Sequence, residues 1–349
     1  MNASGHLSSI IKEKAESLGF ASVGFLPVHP LDEREHLGKY FEAGWHADME
    51  WLRKGLEHRL DPSLLFKNAR SLVSLAINYF NEEWKPAAPG IHGRMSRYVY
   101  GRDYHAVIQS KLKELSLFME MEGAALAFCY VDDSPILEKK WATLAGIGWR
   151  GKNSVVLNSV YGSWLFLAEI ITDLELSYTE KEIESRCGEC TLCIDLCPTG
   201  AIEVPHMVNA SKCIAYQTIE NDGIVPEEIR EDMGNWIYGC DICQEACPEN
   251  HRAKVTEEPL FLPNEKVLNL TLADILRLDE NSFQEVFEGS AIRRGGRKKL
   301  QRNACLAAGN LLRNEASAAN ELLKPLQALV EDEDPILKSH ASWALARPF

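Results

Sequence analysis

The stretch CGECTLCIDLCP, residues 187–198, places four cysteines in twelve positions and ends on a proline. Thiolates at this spacing can hold one cubane iron–sulfur cluster through three residues, and in two-cluster proteins the fourth thiolate binds the other cluster. A second set follows, because Cys213 precedes YGCDICQEACP at 238–248. We therefore assign the eight thiolates to two 4Fe-4S clusters, the first held by Cys187, Cys190, Cys193 and Cys247 and the second by Cys197, Cys213, Cys240 and Cys243.

Zinc sites and disulfides are the alternative explanations for these cysteines. Zinc usually takes one Cys-x2-Cys pair per half-site, which leaves the two Cys-Pro endings unexplained. Eight cluster-spaced cysteines out of ten also indicate a reducing compartment, where disulfides are rare. The remaining two, Cys129 and Cys305, lie in an apolar strand pattern and a helical pattern, so we predict that both are core residues.

Length and charge narrow the class of protein. The 349 residues suggest two to three domains, and 46% hydrophobic residues supply a sizeable core. The longest apolar runs, SLVSLAINYF and SWLFLAEII, are about half of a membrane span, and no signal-peptide pattern or twin arginine is present. These features predict a cytoplasmic protein without a membrane partner. The net charge of −14 argues against a nucleic-acid partner unless positive charge is concentrated locally.

Hydrophobic periodicity divides the chain into three parts. Residues 1–175 mix predicted strands (71–80, 124–131, 152–162 and 163–172) with predicted helices (104–123 and 134–146). Residues 176–262 are the cluster module, and residues 263–349 contain four amphipathic helical stretches, two of which suggest HEAT-like pairs. We predict an α+β fold with an N-terminal α/β domain, a ferredoxin-like two-cluster module and an all-α HEAT-like module.

The sequence GIGWRG, residues 146–151, matches the G-x-G-x-x-G pattern of dinucleotide-binding loops. Such a loop needs a strand before it and a helix after it. Here a helical pattern precedes and a strand-like pattern follows, so we expect these glycines to permit a sharp turn or a close backbone approach.

Positive charge is concentrated in RRGGRKKLQR, residues 293–302. Two glycines and a following helix N-terminus would let this segment approach a phosphate backbone. A charge run is also typical of a solvated helix face. The candidate nucleic-acid-binding residues are Arg293, Arg294, Arg297, Lys298, Lys299 and Arg302.

Several stretches together resemble the epoxyqueuosine reductase family, over essentially the whole chain. They are RLDPSLLFKNARSLV (59–73), RYVYGRDYH (97–105), VDDSPILEKKWATLAGIGWRGKNSVVLN (131–158), the two cysteine blocks and RRGGRKKLQRNACLAAGN (293–310). The resemblance implies a cobalamin bound between the N-terminal domain and the cluster module. It also implies reduction of epoxyqueuosine to queuosine at the wobble position of the tRNAs for Asp, Asn, His and Tyr, by a monomer that draws electrons from an unidentified low-potential donor.

The resemblance places the family's proton donor on Asp132, within VDD. A carboxyl buried near a corrin would have a raised pKa and could stay protonated near neutral pH. The alternative is that VDDSP forms a helix N-cap, for which Asp133 and Ser134 are suited, with Asp133 the second candidate for the donor.

Further residues are candidate cofactor contacts. Arg59 and Arg97 could bind the cobalamin side chains or the tRNA backbone through their planar guanidinium groups, or form surface ion pairs. The resemblance also places Asn153, Ser154 and Asp241 near the corrin, beside Asp132. The cobalamin lower-ligand pattern D-x-H-x-x-G begins at Asp103 but has Ile108 at the glycine, so we expect His105 to be structural or on the substrate side.

Two other functions fit parts of the sequence. A reductive dehalogenase would share the cobalamin and cluster core but usually carries a twin-arginine export signal. A plain ferredoxin-type electron carrier would leave the 175-residue N-terminal part without a role. We therefore predict an oxidoreductase that acts on tRNA.

Overall fold

The structure is a computed structural model that describes residues 3–82, 85–86, 90–179, 182–314 and 316–346. Its strands are, in chain order, β1 (Ser22–Pro27), β2 (Ser71–Asn78), β3 (Arg94–Met95), β4 (Ala127–Tyr130), β5 (Trp149–Arg150), β6 (Val156–Leu157), β7 (Leu165–Thr172) and β8 (Trp236–Tyr238). Its α-helices are α1 (Ala3–Ser17), α2 (Arg34–Glu42), α3 (Glu50–Lys54), α4 (Leu56–Leu60), α5 (Tyr104–Met121), α6 (Glu138–Leu144), α7 (Leu192–Asp195), α8 (Ile214–Ile219), α9 (Ile242–Glu245), α10 (Glu265–Leu268), α11 (Leu272–Arg277), α12 (Glu280–Val286), α13 (Arg297–Asn314), α14 (Ala319–Val330) and α15 (Pro335–Leu345).

An antiparallel sheet in the order β1-β2-β7-β4 forms the centre of the N-terminal part. Helices α1 and α5 cover one face, and α6 covers the other. Strand β2 is buried along its whole length because both faces are covered, which explains its continuous apolar sequence. The loops and helix that follow β4 lie at the edge of this sheet and carry the VDD motif.

The cluster module is joined to both neighbouring parts. Strand β8 of the module pairs in parallel with β3 of the N-terminal part. One apolar cluster of buried residues extends from Met95 through Ile237 of the module to Phe283 and Leu306 of the C-terminal helices. The core therefore crosses the boundary predicted at residue 262.

Most of the predicted elements are present. The predicted strands at 71–80, 124–131 and 163–172 correspond to β2, β4 and β7, and the helix at 104–123 corresponds to α5. The long strand predicted at 152–162 is wrong, because only β6 forms there and it pairs with the short β5.

The GIGWRG segment follows helix α6 and contains strand β5, in the helix-then-strand order that its sequence context predicted. A Cβ at Gly148 would lie 2.1 Å from the carbonyl oxygen of Leu157, and Gly146 has a φ of +72°. The glycines therefore permit a turn and a close backbone approach.

The C-terminal part is helical, as predicted, although the stretch at 272–287 splits into α11 and α12. The split occurs because the side chain of Asp279 caps α12, just as Thr271 caps α11 in a capping box. Helices α13, α14 and α15 pack on one another. Among the helices within the described ranges, none has the length and apolarity needed to cross a membrane.

Candidate active site

The structure separates the eight cysteines of the two motifs into two groups of four. Helices α7 and α9, which carry Cys193 and Cys243, pack against each other and bring the two motifs together. A cavity of about 120 Å³ is lined by Cys187, Cys190, Cys193 and Cys247. A separate cavity of about 590 Å³ is lined by Cys197, Cys213, Cys240 and Cys243. The grouping matches the crossed assignment made from the spacing, in which each motif lends one thiolate to the other cluster.

Paired alanine substitutions test this crossed assignment. Cys197→Ala with Cys213→Ala removes two ligands from one cluster, so the iron content is expected to fall from about eight to about four. Cys193→Ala with Cys197→Ala, which are closer in sequence, removes one ligand from each cluster and is expected to impair both. Iron analysis and electron paramagnetic resonance of the reduced protein measure the outcome, with Cys129→Ala as the control. Equal iron loss in the two double variants would contradict the assignment.

The larger cavity lies between the cluster module and the N-terminal part. Apolar side chains from both parts, including Leu52 and Ile202, line much of it. Its polar lining includes Lys139 at the start of α6 and Asn153 and Ser154 after the glycine loop. Ser154 has a φ of +65°, and its buried hydroxyl has no hydrogen-bond partner within the described residues. The predicted positions of Asn153 and Ser154 therefore face a cavity that the second group of cysteines also faces.

Four of the six predicted cofactor contacts lie outside the lining of this cavity: Arg59, Arg97, Asp132 and Asp241. Asp241 is buried and accepts a hydrogen bond from the backbone N–H of Arg97 at 2.8 Å. The Arg97 guanidinium bonds to Glu245 at 3.0 Å and lies 4.7 Å from the Trp164 ring centroid. Both residues therefore connect the turn after β3 to the cluster module, and a cofactor contact by either of them stays a prediction.

Arg59 also departs from its predicted role. It is buried beside the Trp51 ring, with 5.2 Å between the guanidinium carbon and the ring centroid. Its Nε has no hydrogen-bond partner within the described residues, and its charge interacts with Glu138. Arg59 therefore lies near Glu138 of α6 and does not line the large cavity.

Asp132 occupies a left-handed backbone conformation, with a φ of +57°. Its Oδ2 accepts a hydrogen bond from the Tyr104 hydroxyl at 2.5 Å and lies 3.6 Å from His105 Nε2. Its backbone N–H donates to Glu138 Oε1 at 2.6 Å. A non-glycine residue in this region costs about 1–3 kcal/mol, so the surrounding hydrogen bonds hold the carboxylate in a defined position.

The pKa of Asp132 differs from the sequence expectation. Desolvation raises this pKa, but hydrogen bonding to His105 and to Tyr104 outweighs it and leaves the pKa below its ordinary value. The carboxyl is therefore ionised near neutral pH in this conformation, and the expected raised pKa is wrong for it. A proton has to be delivered to Asp132 before it can act as an acid.

His105 joins this carboxylate to the C-terminal basic segment. Its Nδ1 contacts Asp103 Oδ1 at 2.8 Å, and its Nε2 lies 2.7 Å from Arg294 Nη1. Burial lowers the pKa of His105, but hydrogen bonding to Asp103 and Asp132 outweighs it and raises the pKa overall. A proton and Arg294 therefore compete for the same ring nitrogen.

Comparisons with known proteins give the family. Residues 186–250 match a family described as a 4Fe-4S double cluster binding domain, and residues 59–133 match one described as epoxyqueuosine reductase QueG, DUF1730. An epoxyqueuosine reductase from Cellulophaga algicola is 41% identical, covering 87% of this chain and 98% of the relative. One from Escherichia coli is 36% identical, covering 98% of this chain and 89% of the relative.

The chain belongs to the epoxyqueuosine reductase family.

Solved structures of the family share the whole fold. A crystal structure of epoxyqueuosine reductase with an epoxyqueuosine-modified tRNA-Tyr stem loop has a TM-score of 0.88 and 30% identity, covering 98% of this chain and 90% of that one. A structure from Bacillus subtilis, in which the catalytic aspartate loop is swung out of the active site, has a TM-score of 0.86 and 30% identity, covering 98% of this chain and 90% of that one.

The N-cap explanation of VDDSP is wrong for this family member. Helix α6 begins at Glu138, and its N-cap Leu137 makes no side-chain capping bond. Asp133 instead accepts a hydrogen bond from the backbone N–H of Val131 at 3.3 Å, and the Ser134 hydroxyl has no partner within the described residues. The motif therefore shapes the loop that presents Asp132.

The basic segment is largely paired with acidic side chains. Arg297 lies 3.3 Å from Glu280, Lys298 lies 2.9 Å from Asp334 and Lys299 lies 2.8 Å from Asp222. Arg293 is bonded to Gln284, and Arg294 reaches His105. The segment lines a cavity of about 350 Å³, together with these acids.

Arg302 is a correction to the predicted nucleic-acid contacts. It is 1% exposed, and its guanidinium donates to the carbonyl oxygens of Gln217, Asn221 and Gly223 at 2.5, 2.7 and 2.8 Å. Burial lowers its pKa to about 10, so it remains charged at neutral pH. Arg302 therefore ties helix α13 to the cluster module and cannot reach a phosphate.

The sequence analysis missed Glu138 and Lys139 as parts of the site, and it considered Tyr104 only as a stacking surface or core residue and not as a partner of Asp132. Tyr104 and Glu138 hold the side chain and the backbone of Asp132, and Lys139 extends from the next position of α6 into the large cavity. A possible signal was their position, because Tyr104 follows RYVYGRD and the other two follow VDD by a few residues. Sequence alone does not give the contacts, which depend on α5 and α6 meeting at the sheet edge.

Proposed function

We propose that this chain is an epoxyqueuosine reductase: it reduces epoxyqueuosine to queuosine at the wobble position of the tRNAs for Asp, Asn, His and Tyr, the last step of queuosine biosynthesis. The observation that carries the proposal is that four cysteines of the double-cluster module line one cavity, into which Lys139 of the helix after the Asp132 loop also extends. Lys139 lines that cavity, and its ammonium interacts with the Asp132 carboxylate and with Cys243. Electrons and protons can therefore reach the same region from opposite sides.

The reaction sets what the residues must do. Converting the epoxide into the carbon–carbon double bond of queuosine consumes two electrons and two protons and releases the oxygen as water. We assign the protons to the Asp132 side of the site and the electrons to the cluster side. We also propose a cytoplasmic monomer that receives electrons one at a time from a low-potential donor.

The lining of the large cavity fits a cobalamin. Its apolar walls suit the corrin face, and the unpartnered Ser154 hydroxyl beside Asn153 can serve the peripheral amides. Lys139, Arg150 and His206 offer further polar contacts on the lining. Cobalamin, when bound, supplies a low-valent metal centre that delivers electrons to carbon, while the protein provides position and protons.

The chain's own residues control the proton at the epoxide oxygen. Tyr104 and His105 fix the direction of the Asp132 carboxyl, so that a proton on it can be aimed at the substrate oxygen. Donation from this position is general acid catalysis.

We assign tRNA docking to the C-terminal helices, which we interpret as a HEAT-like module, and to the basic segment at its edge. Arg293, Arg294, Arg297, Lys298 and Lys299 lie on the side of the fold where Arg294 meets His105. Phosphate contacts there would orient the RNA without reading its sequence. Specificity then comes from the modified base, which has to leave the anticodon stack to reach Asp132.

Replacing Arg297, Lys298 and Lys299 by glutamine is expected to weaken tRNA binding and flatten its salt dependence. Each lost phosphate contact lowers the slope of log K against log salt by about 0.7 to 0.9. The measurement is a series of tRNA titrations over a range of salt concentrations. The control replaces the exposed Lys12, Lys113 and Lys324, which changes the net charge equally. Equal slopes for the two triple variants would contradict docking at this segment.

The function itself is tested with anaerobically purified protein that contains clusters and cobalamin. Epoxyqueuosine-containing tRNA is incubated with a low-potential reductant, and the nucleosides are separated by mass spectrometry. Queuosine that forms only in the presence of cobalamin is the expected result. No product, with both cofactors bound, would overturn the proposal, and halogenated small molecules would then test the dehalogenase alternative. Failure to bind cobalamin at all would leave the electron-carrier alternative.

A further inference from the structure

The proposed reaction needs two protons at one oxygen, and this inference rests on that proposed function. The first proton accompanies the opening of one carbon–oxygen bond and leaves a hydroxyl on the ring. The second accompanies the cleavage of the other carbon–oxygen bond. The oxygen then leaves as water, and the two added electrons complete the carbon–carbon double bond. Asp132 carries one proton at most, so a second acid has to load it again within one turnover.

Glu138 is the acidic group in contact with the Asp132 loop. Its Oε1 accepts the backbone N–H of Asp132 at 2.6 Å, which holds the two residues together across six positions of the chain. Electrostatic repulsion couples the Glu138 and Asp132 carboxyls. A proton on either carboxyl is therefore favoured by the charge on the other.

Glu169 lies beneath this pair, in the middle of the sheet. It belongs to β7, opposite Ser74 of β2 and Tyr130 of β4. Because alternate residues of a strand share a face, Glu169 points to the same side as Leu167 and Ile171, which pack against α6. Its side chain is completely buried, and neither carboxyl oxygen has a hydrogen-bond partner within the described residues.

Other polar groups on this face are also unpartnered. The Ser74 hydroxyl and the Trp141 indole N–H are completely buried, and neither has a partner within the described residues. Buried polar atoms are normally satisfied by protein or by ordered water, and an ionised carboxylate here would be very costly. Glu169 is therefore neutral and carries a proton, and the adjacent donor and acceptor groups suit a bridging water.

We propose that Glu169 and Glu138 form a proton store that reloads Asp132 from the sheet side of the active site between the two bond cleavages. After the first donation a proton passes from Glu138 through Asp132 to the departing oxygen, because Asp132 is the stronger acid and does not hold it, and one from Glu169 replaces it on Glu138. The store refills from solvent after water and product leave. Glu138 and Glu169 are positioning residues in this scheme, since both act on the substrate only through Asp132.

The charged and titratable groups around the store determine its pH range. Desolvation first and the Asp132 charge second raise the pKa of Glu138 to about 7. Desolvation and repulsion by Glu138 raise the pKa of Glu169 well above its ordinary value. The groups that face the pair are Asp132 and Asp133 from the loop, Lys139 from α6, Arg59 from α4 and Tyr130 from β4. A raised pKa keeps a carboxyl protonated to higher pH, so Glu138 gives up its proton around pH 7 while Glu169, which burial holds neutral, still carries one there.

Infrared spectroscopy tests the store without relying on turnover. The carbonyl stretch of a protonated carboxyl is recorded from the holoenzyme as pH is raised, for the wild type, Glu169→Gln and Glu138→Gln. The wild type is expected to keep such a band at pH 8, where Glu138 is mostly ionised, and Glu169→Gln is expected to lose it. A band that is absent from the wild type, or unchanged in Glu169→Gln, would overturn the proposal.

The pH dependence of turnover tests whether the store feeds Asp132. In Glu169→Gln and Glu138→Gln, turnover at pH 8 is expected to fall by about 100-fold, with a smaller loss at pH 6, where solvent protons are abundant. KM for tRNA is expected to stay unchanged, and the exposed Glu175→Gln serves as the control. A wild-type pH profile in both variants would refute the relay. If Glu169→Gln does not fold, Glu138→Gln provides the test instead, because the side chain of Glu138 is partly exposed.

The two proposals fail in different ways. If the wild type makes no queuosine, the proposed function is wrong, whatever the infrared band shows. If the wild type makes queuosine and the glutamine variants match it at every pH, only the proton store is wrong.

Discussion

Asp132→Asn is expected to lower queuosine formation by about 100- to 10,000-fold, the range that general acid catalysis contributes. The amide oxygen can still accept the Tyr104 hydroxyl, and the backbone bond to Glu138 is unchanged, so the loop keeps its shape. The variant loses only the capacity to deliver a proton. Nucleoside mass spectrometry of single-turnover reactions measures the rate, and iron content, corrin absorbance and tRNA affinity are expected to match the wild type.

Asp133→Asn is the matched control, because its carboxyl accepts the backbone N–H of Val131 and makes no contact with Tyr104 or His105 in the described structure. The asparagine oxygen can keep that bond, so turnover is expected to stay close to that of the wild type. A large loss in Asp133→Asn together with normal turnover in Asp132→Asn would transfer the donor role to Asp133.

Arg302→Met is expected to destabilise the fold by about 3–5 kcal/mol, because three buried carbonyl oxygens lose a charged donor and each unsatisfied acceptor costs about 1–3 kcal/mol. The methionine fills much of the same space, so the loss comes mainly from the hydrogen bonds to Gln217, Asn221 and Gly223. Anaerobic thermal unfolding at a fixed scan rate, followed by circular dichroism and by cluster absorbance, measures the change. We expect both signals to be lost together at a lower temperature.

Arg313→Met on the same helix is the control. Arg313 is 53% exposed and pairs with Glu231 at the surface. An exposed ion pair contributes roughly 0–1 kcal/mol, so little change is expected. Equal unfolding temperatures for Arg302→Met and Arg313→Met would mean that the buried guanidinium contributes no more than an exposed one.

The sequence predicted the parts of the molecule that depend on local spacing. The two cysteine motifs predicted which thiolates share a cavity, because the proline after the fourth cysteine directs it away from its neighbours. The apolar runs of β2 and β7 predicted a buried sheet, since both faces of these strands are covered. Asp132 was predicted from the resemblance of its motif to a family, not from periodicity.

The features that sequence reasoning missed depend on residues distant in the chain. Arg294 meets His105 across 189 positions, and Arg302 is buried because loops of the cluster module close over it. The low pKa of Asp132 follows from hydrogen bonds supplied by helix α5, which the motif itself does not contain. The sequence analysis placed Arg302 among the nucleic-acid-binding cations, because a run of charged residues does not reveal which of its side chains points into the core.

The shared core of the cluster module and the C-terminal helices limits how this protein can be divided. Residues from Met95 to Leu306 pack in one apolar cluster, so a chain that ended at residue 262 would expose side chains that Phe283 and its neighbours normally cover. The two-cluster segment therefore could not be transferred to another protein as an independently folding domain. Any evolutionary or engineered recombination that moved it would have to move the helical part with it.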